Sequence, residues 1–421
     1  MDFEDSPEEA QIRARARAWL EAHRAQGEPV PRGEFGTFLD VDTTPEQIEL
    51  AKRWQRLVYE GGWLGITWPK QYGGYGGTQL EQVIFNQELS RAGLPGPVNA
   101  IAIGMGGPTI LAHGTEEQKQ RYLRPMLTAE EIWCQLFSEP GAGSDLASLE
   151  TRAVRDGDDY VVNGQKVWTS GAHYADLGIL VARTDPNVPK HNGITYFIMD
   201  MHAPGVTVRP LRQISGGASF NEVFMDNVRI PATNVLGREG QGWIVAMTTL
   251  MHERTVAGGA GGGPSVDSVG FLDLLRTCRV RGRPAIEDSD IRQQYARVIA
   301  EGLAVRYSGY RNLTRISRGE TPGPESATGK FMSTNLRRHR YELALMVEGI
   351  AGALTKGSEY TKVNGRWQHE YLELPGWTIG GGADEILKNI VGERVLGLPS
   401  EPRIDKGVPF KDLPRGTMPK D

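Results

Sequence analysis

Between Leu177 and Val228 the apolar runs lie too close together for helices to fit between them. Leu177–Ala182, Ile194–Met201, Val206–Leu211 and Glu222–Val228 are each short and rich in β-branched or aromatic residues. Such spacing predicts an antiparallel sheet or barrel and argues against βαβ units. Just upstream, 160–168 reads as a hairpin with Asn163-Gly164 at its turn. Both flanks of this block carry the helical period instead. On the N-terminal side, Ser6-Pro7-Glu8-Glu9, Thr44-Pro45-Glu46-Gln47 and Thr115-Glu-Glu-Gln118 are helix starts. After the first of them Ile12, Ala16, Trp19 and Leu20 fall on one face. On the C-terminal side the period returns from about Gly242, most clearly over Ile291–Ser317 and Phe331–Ile350. The expected class is mainly α with a central β domain. Expected boundaries are helices over 1–134, the β domain over 135–238, a helical bundle over 239–400 and a tail over 401–421 that orders only by docking on something.

With 421 residues the chain can bury more than one core. A net charge of −5 lacks the basic footprint of a nucleic-acid binder. No apolar run reaches the ~18 residues of a membrane span. The acidic start, Met1-Asp-Phe-Glu, lacks a signal peptide's basic and apolar regions, so a cytosolic location is expected. Cys134 and Cys278 read as buried free thiols. The histidines show no metal-ligand spacing. No Gly-x-Gly-x-x-Gly follows a strand, and neither a Walker A loop nor a Gly-x-Ser-x-Gly elbow occurs. The run Arg337-Arg338-His339-Arg340 reads first as a solvated helix face.

The chemistry is concentrated in glycine-punctuated segments. Gln135-Leu-Phe-Ser-Glu-Pro-Gly-Ala-Gly-Ser-Asp145 joins an apolar strand to a tight turn that can present backbone N–H groups and hydroxyls to a flat polar ligand. In order there follow Asn163-Gly-Gln-Lys-Val-Trp-Thr-Ser-Gly171, Val228-Arg-Ile-Pro-Ala-Thr-Asn-Val-Leu-Gly237, His252-Glu-Arg254, Gly382-Ala-Asp-Glu-Ile-Leu-Lys-Asn-Ile-Val391 and Val395-Leu-Gly397. Together these segments resemble the acyl-CoA dehydrogenases over nearly the whole chain. The resemblance implies an N-terminal helical domain, a β-barrel-like middle domain and a C-terminal four-helix bundle. It implies FAD as cofactor, an acyl-CoA as substrate and an electron-transfer flavoprotein as electron acceptor.

Carried onto this sequence, the resemblance puts Gln135, Leu136, Phe137, Ser138, Trp168, Thr169 and Ser170 around the isoalloxazine ring. It puts Ala383, Asp384 and Glu385 near the ribityl and adenosine portion. Ser144, His252, Arg254 and Gly382 fall to the substrate. The reaction needs a general base for the α-proton and donors for the thioester oxygen, where enolate charge develops. Many family members carry the base at the position of Gly381. Glycine there removes the carboxylate but keeps a backbone N–H for the thioester oxygen. Isovaleryl- and long-chain-type members carry the base in a Glu-Arg pair on another helix, which matches Glu253-Arg254. Glu253 is therefore the expected base, with Glu385 in reserve.

The run Gly258-Gly-Ala-Gly-Gly-Gly263 is either a break in the helix or room for a branched or polycyclic acyl group. Family members are commonly tetramers or dimers in which a neighbour completes the FAD site. Two segments expected to serve the neighbour, Arg279-Val-Arg-Gly-Arg-Pro284 and Glu348-Gly-Ile-Ala-Gly352, depart from the usual pattern. The departures leave open a homo-oligomer, a mixed assembly with a paralogous subunit, or a non-catalytic chain within one. A flavin oxidase on the same scaffold is the further alternative.

Overall fold

The computed structural model describes residues 5–31, 38–257, 270–318, 320, 323–402 and 405–414, with the side chains of 254–257 and 316–317 left aside. The glycine run 258–263 lies outside the described residues. The N-terminal helices are α1 (Pro7–Ala22), α2 (Pro45–Glu60), α3 (Gln79–Ala92), α4 (Gly107–His113) and α5 (Glu116–Thr128). Three of them start where the sequence predicts. Ser6, Thr44 and Thr115 each accept a hydrogen bond from the backbone N–H three residues on, and Glu9, Gln47 and Gln118 reach back. A fourth box, Thr78 with Glu81, opens α3 without the proline that marks α1 and α2. Ala16 and Leu20 are buried, and Ile12 and Trp19 pack against the same core.

α1 and α3 are joined by a charge as well as by that core. Glu88 on α3 is 3% exposed and meets Arg91 at 2.7 Å, Arg17 at 3.0 Å and Arg13 at 3.3 Å. Burial pushes this carboxyl up, but the three guanidinium groups outweigh burial and bring it down to about 2.

The middle of the chain is a seven-stranded sheet with β1 (Trp133–Leu136), β2 (Arg152–Asp156), β3 (Asp159–Ser170), β4 (Leu177–Arg183), β5 (Ile194–Asp200), β6 (Val206–Leu211) and β7 (Phe220–Pro231). The order is β1-β4-β2-β3-β7-β6, with β5 added to β4. β2–β3, β3–β7, β4–β5 and β6–β7 are antiparallel, as expected, but β1 runs parallel to β4. The long connection from β1 through the β2–β3 hairpin permits that crossover.

The hairpin turn is not at Asn163-Gly164. It lies at Gly157-Asp158, where Gly157 has φ +64°, and β3 runs straight through 163–164 with a bulge. Two local contacts explain the difference. Asn163 Oδ1 accepts from Asn227 N at 2.9 Å, and a Cβ on Gly164 would sit 2.5 Å from Thr151 Oγ1. The glycine serves a close approach between two segments of the chain, not a reversal.

The C-terminal part contains α6 (Gly242–Ala257), α7 (Phe271–Thr277), a short hairpin, α8 (Ser289–Ser317), α9 (Thr328–Glu348), α10 (Arg366–Ile379) and α11 (Asp384–Arg394). α9 is central and packs on α8, α10 and α11. Its basic run is not a solvated face. Arg340 is buried, Arg337 lies 4.0 Å above the Trp377 ring, and His339 Nδ1 is 2.7 Å from Glu301. The tail docks through 405–414. Phe410 N donates to Val188 O, Arg183 covers the Phe410 ring at 3.5 Å, and Asp405 pairs with Lys190 at 2.6 Å. Among the described residues no helix is long and apolar enough to cross a membrane.

Glu88→Gln is expected to lower stability at pH 7 by about 2 kcal/mol, the worth of charged hydrogen bonds. The contribution of Glu88 is complete above its ordinary value of 4.5 and is lost as pH falls from there toward about 2. Thermal midpoints of the two proteins should therefore converge over that window; a constant gap would contradict the assignment.

Candidate active site

One cleft of about 1880 Å³ runs between the sheet, the N-terminal helices and the C-terminal bundle. It is roughly twice the size of a large small-molecule pocket, enough for two extended ligands side by side. Trp63, Trp68, Phe85 and Met105 line its N-terminal side.

The sheet wall begins at β1, an edge strand. Edge strands present backbone N–H and C=O groups that a ligand can take up. Along β1 the side chains alternate, so Gln135 lines the cleft while Leu136 is buried in the core on the other face of the sheet. Phe137 and Ser138 continue the lining. The turn closes through paired backbone hydrogen bonds between Glu139 and Ala142, at 3.0 and 3.1 Å. A Cβ on Gly141 or Gly143 would meet nothing within 4 Å, so neither glycine relieves crowding, and Gly143 lines the cleft. Ser144 also faces the cleft, and Asp145 is held by Lys190 at 2.7 Å.

Behind this wall lies a buried ion pair that motif reading alone does not reveal. Lys166 on β3 has no exposed surface. Its Nζ donates to Glu139 Oε1 at 2.8 Å and to Phe137 O at 2.9 Å. Glu139 in turn accepts from the backbone N–H of Glu150 and Thr151. Burial would raise the Glu139 carboxyl, but Lys166 and these donors hold it below the ordinary carboxylate range. One residue on, Val167 N donates to Ser138 O at 2.9 Å.

β3 then bulges. Trp168 takes φ +60°, a conformation costly for a bulky residue, and its indole is 59% exposed, edge-on to Phe220 at 5.9 Å. Thr169 points away and is fully buried, whereas Ser170 returns to the cleft. Of the two adjacent hydroxyls only Ser170 lines the cavity.

The opposite wall comes from α6 and the α10–α11 turn. Trp243, Met247, Leu250 and Glu253 recur at helical spacing and all line the cleft, an apolar stripe ending in a carboxylate. His252 lines it too, and burial lowers its pKa, which favours the neutral imidazole. Arg254 lies outside the described side chains. Gly380, Gly381, Gly382 and Ala383 line the cleft, with Gly381 and Gly382 at φ +69° and +94°. Asp384 is buried against Lys330 at 2.8 Å, and Glu385 is exposed outside the cleft. Thus Glu253 and Gly381 share one cavity with Ser138, Trp168 and Ser170, while Leu136, Thr169, Asp384 and Glu385 do not face it. Glu139 and Glu373 are further carboxylates of the lining. The first is committed to Lys166, and the second lies 2.9 Å from His369 Nε2.

Three family profiles match in this order: "Acyl-CoA dehydrogenase, N-terminal domain" over 6–130, "middle domain" over 134–228 and "C-terminal domain" over 240–396. Acyl-CoA dehydrogenase IpdE1 of Mycobacterium tuberculosis is 36% identical over 400 residues, 93% of this chain and 98% of the relative. The chain belongs to the acyl-CoA dehydrogenase family. Members of this family are FAD-dependent, and this chain is an acyl-CoA dehydrogenase. Among solved structures, the Tcur3481-Tcur3483 steroid ACAD matches with a TM-score of 0.81 and 31% identity, covering 95% of this chain and all of that one. The ChsE4-ChsE5 complex from M. tuberculosis matches with a TM-score of 0.77 and 31% identity over 95% of this chain and 100% of that one.

Lys166→Met should strand Glu139 unpaired in the interior, a loss of about 3–5 kcal/mol. The purified variant is expected to carry less flavin per chain and to unfold at lower temperature. Adding Glu139→Gln should restore part of the thermal loss, because the stranded charge is gone; no recovery would mean that the pair is not the source.

Proposed function

We propose that this dehydrogenase removes two hydrogens from a bulky, ring-bearing acyl-CoA, with Glu253 as the general base. The reading is carried by one observation: Glu253 ends an apolar helix stripe in the same cleft as the Gly381 turn and the Ser138–Trp168–Ser170 wall. The wall suits a flat heterocycle with polar edges, since it offers an edge strand, two hydroxyls and an exposed indole beside open space. FAD, when bound there, supplies the hydride acceptor for the substrate's β-carbon.

The remaining work falls to the protein. Glu253 takes the α-proton from the end of the apolar stripe on α6. Gly381 N–H donates to the thioester oxygen as enolate charge builds there. Ser170 and Ser138 offer hydrogen bonds to the cofactor's polar edge, and Trp168 closes one side of it. Ser144 lies where the turn meets the CoA arm. Electron-transfer flavoprotein is the proposed oxidant of the reduced enzyme.

Two features support the finer reading of substrate and assembly. For the substrate, a solved neighbour at 31% identity is described as a steroid ACAD. Both solved neighbours are two-component proteins by their titles. In this chain Glu348, in a segment expected to face a neighbour's cofactor, is turned to Gln368 Nε2 at 2.6 Å, and burial raises its pKa. A carboxylate there does not suit a pyrophosphate. We infer a paralogous partner subunit, with the FAD site completed between unlike chains.

Glu253→Gln should lower kcat by about 10²–10⁴-fold while the bound-flavin absorption spectrum stays unchanged. Turnover at the wild-type rate would remove Glu253 from the mechanism. In the unaltered enzyme, kcat/KM should favour a polycyclic acyl-CoA over butyryl-CoA.

A further inference from the structure

The three-glycine turn that carries the proposed oxyanion donor has no conformational preference of its own. Gly380, Gly381 and Gly382 lack side chains, and two of them sit at positive φ. Something outside the segment must choose the one conformation that aims the Gly381 N–H. Lys330 on α9 is a cation bonded directly to this turn.

Lys330 Nζ donates to Asp384 Oδ1 at 2.8 Å, Gly382 O at 2.9 Å and Thr378 O at 3.2 Å. These acceptors use all three ammonium hydrogens. They also bracket the turn: Thr378 lies in the last turn of α10, Gly382 within the turn, and Asp384 is the first residue of α11. The ammonium is a cation at the carbonyl end of α10, and Asp384 an anion at the amino end of α11, so each also suits the helix terminus it occupies. The side chains of Lys330 and Asp384 are 5% and 6% exposed, so the pair works away from bulk water. Lys330 nevertheless lines the active-site cleft.

We propose that Lys330 is a positioning residue: its ammonium, with Asp384 as counter-ion, fixes the Gly380–Gly382 turn so that the Gly381 N–H points at the thioester oxygen. This rests on the reading of Gly381 as that donor. It gives Asp384 a role different from cofactor contact. The side chain that many relatives carry at position 381 is absent here, and the lysine clamp holds in place what remains, a bare N–H.

The test uses the flavin-loaded enzyme and a 3-ketoacyl-CoA, which binds but is not turned over and whose α-carbon ionises to an enolate visible in the ultraviolet. A donor on the thioester oxygen lowers the pH at which the bound ligand ionises. Lys330→Met should move that pH back toward the free-ligand value by about one unit. It should also cut kcat by about 10–100-fold, with KM within about 3-fold and flavin content unchanged. Asp384→Asn should move both readouts in the same direction, and Lys330→Arg should recover part of the loss. Wild-type ionisation in Lys330→Met and Asp384→Asn would overturn the proposal. So would a fall in flavin content and kcat together with a rise in KM, or failure of both variants to fold, since each marks a merely structural pair. Because the ligand ionises without Glu253, the shift should also appear in a Glu253→Gln background. If the wild-type enzyme itself does not promote ionisation, it is the Gly381 reading that fails.

Discussion

Lys166 has no exposed surface, and its charge is met by Glu139 and by the carbonyl of Phe137. That interaction decides how the two halves of the sheet wall meet. Glu139 belongs to the glycine-punctuated turn after β1, and Lys166 to the long strand β3. Two segments far apart in the chain thereby become one surface. With the pair in place, Val167 N closes on Ser138 O, Trp168 is driven outward by the bulge, and Ser170 comes back to the cleft. A buried ion pair is an expensive way to join two segments. It is tolerated here because both Glu139 oxygens accept hydrogen bonds and the ammonium donates to a carboxylate and a carbonyl.

A second buried lysine does comparable work across the cavity. Lys330 and Asp384 hold the α10–α11 turn as Lys166 and Glu139 hold the sheet wall. On these two walls the polar groups offered to a ligand are largely neutral: serine hydroxyls, an amide and glycine backbone. The charges that position them are almost fully buried. Such an arrangement lets a glycine stand where many relatives carry a carboxylate, provided that a base reaches the same space from elsewhere. Glu253 on α6 meets that condition by sharing the cavity.

Much of this was legible in the residues. Capping boxes announced α1, α2 and α5 because both partners lie within one turn of chain. Closely spaced β-branched runs announced the sheet because side-chain alternation is local. Asn163-Gly164 misled because a turn dipeptide and a glycine needed for close packing look alike in one dimension; only Thr151, brought alongside, tells them apart. Arg337 and Arg340 misled for a related reason, since a basic run carries no sign of the Trp377 ring waiting across the bundle. The parallel pairing of β1 with β4 depends on chain closure, which no local pattern encodes. Gln135, Phe137, Ser138, Trp168, Ser170, Glu253 and Gly381, expected from the family resemblance, do line one cleft. Lys166 and Lys330 could not be assigned their tasks, because each is defined by partners on other elements.

The account stands on Glu253 facing the α-carbon of a thioester whose oxygen is held by the Gly381 turn. A crystal structure of the flavin-loaded assembly with a non-reactive acyl-CoA analogue measures this directly. The Glu253 carboxylate is expected about 3–3.5 Å from the α-carbon, on the side away from the cofactor. A carboxylate turned out to solvent, or an α-carbon next to Glu373 instead, would contradict it.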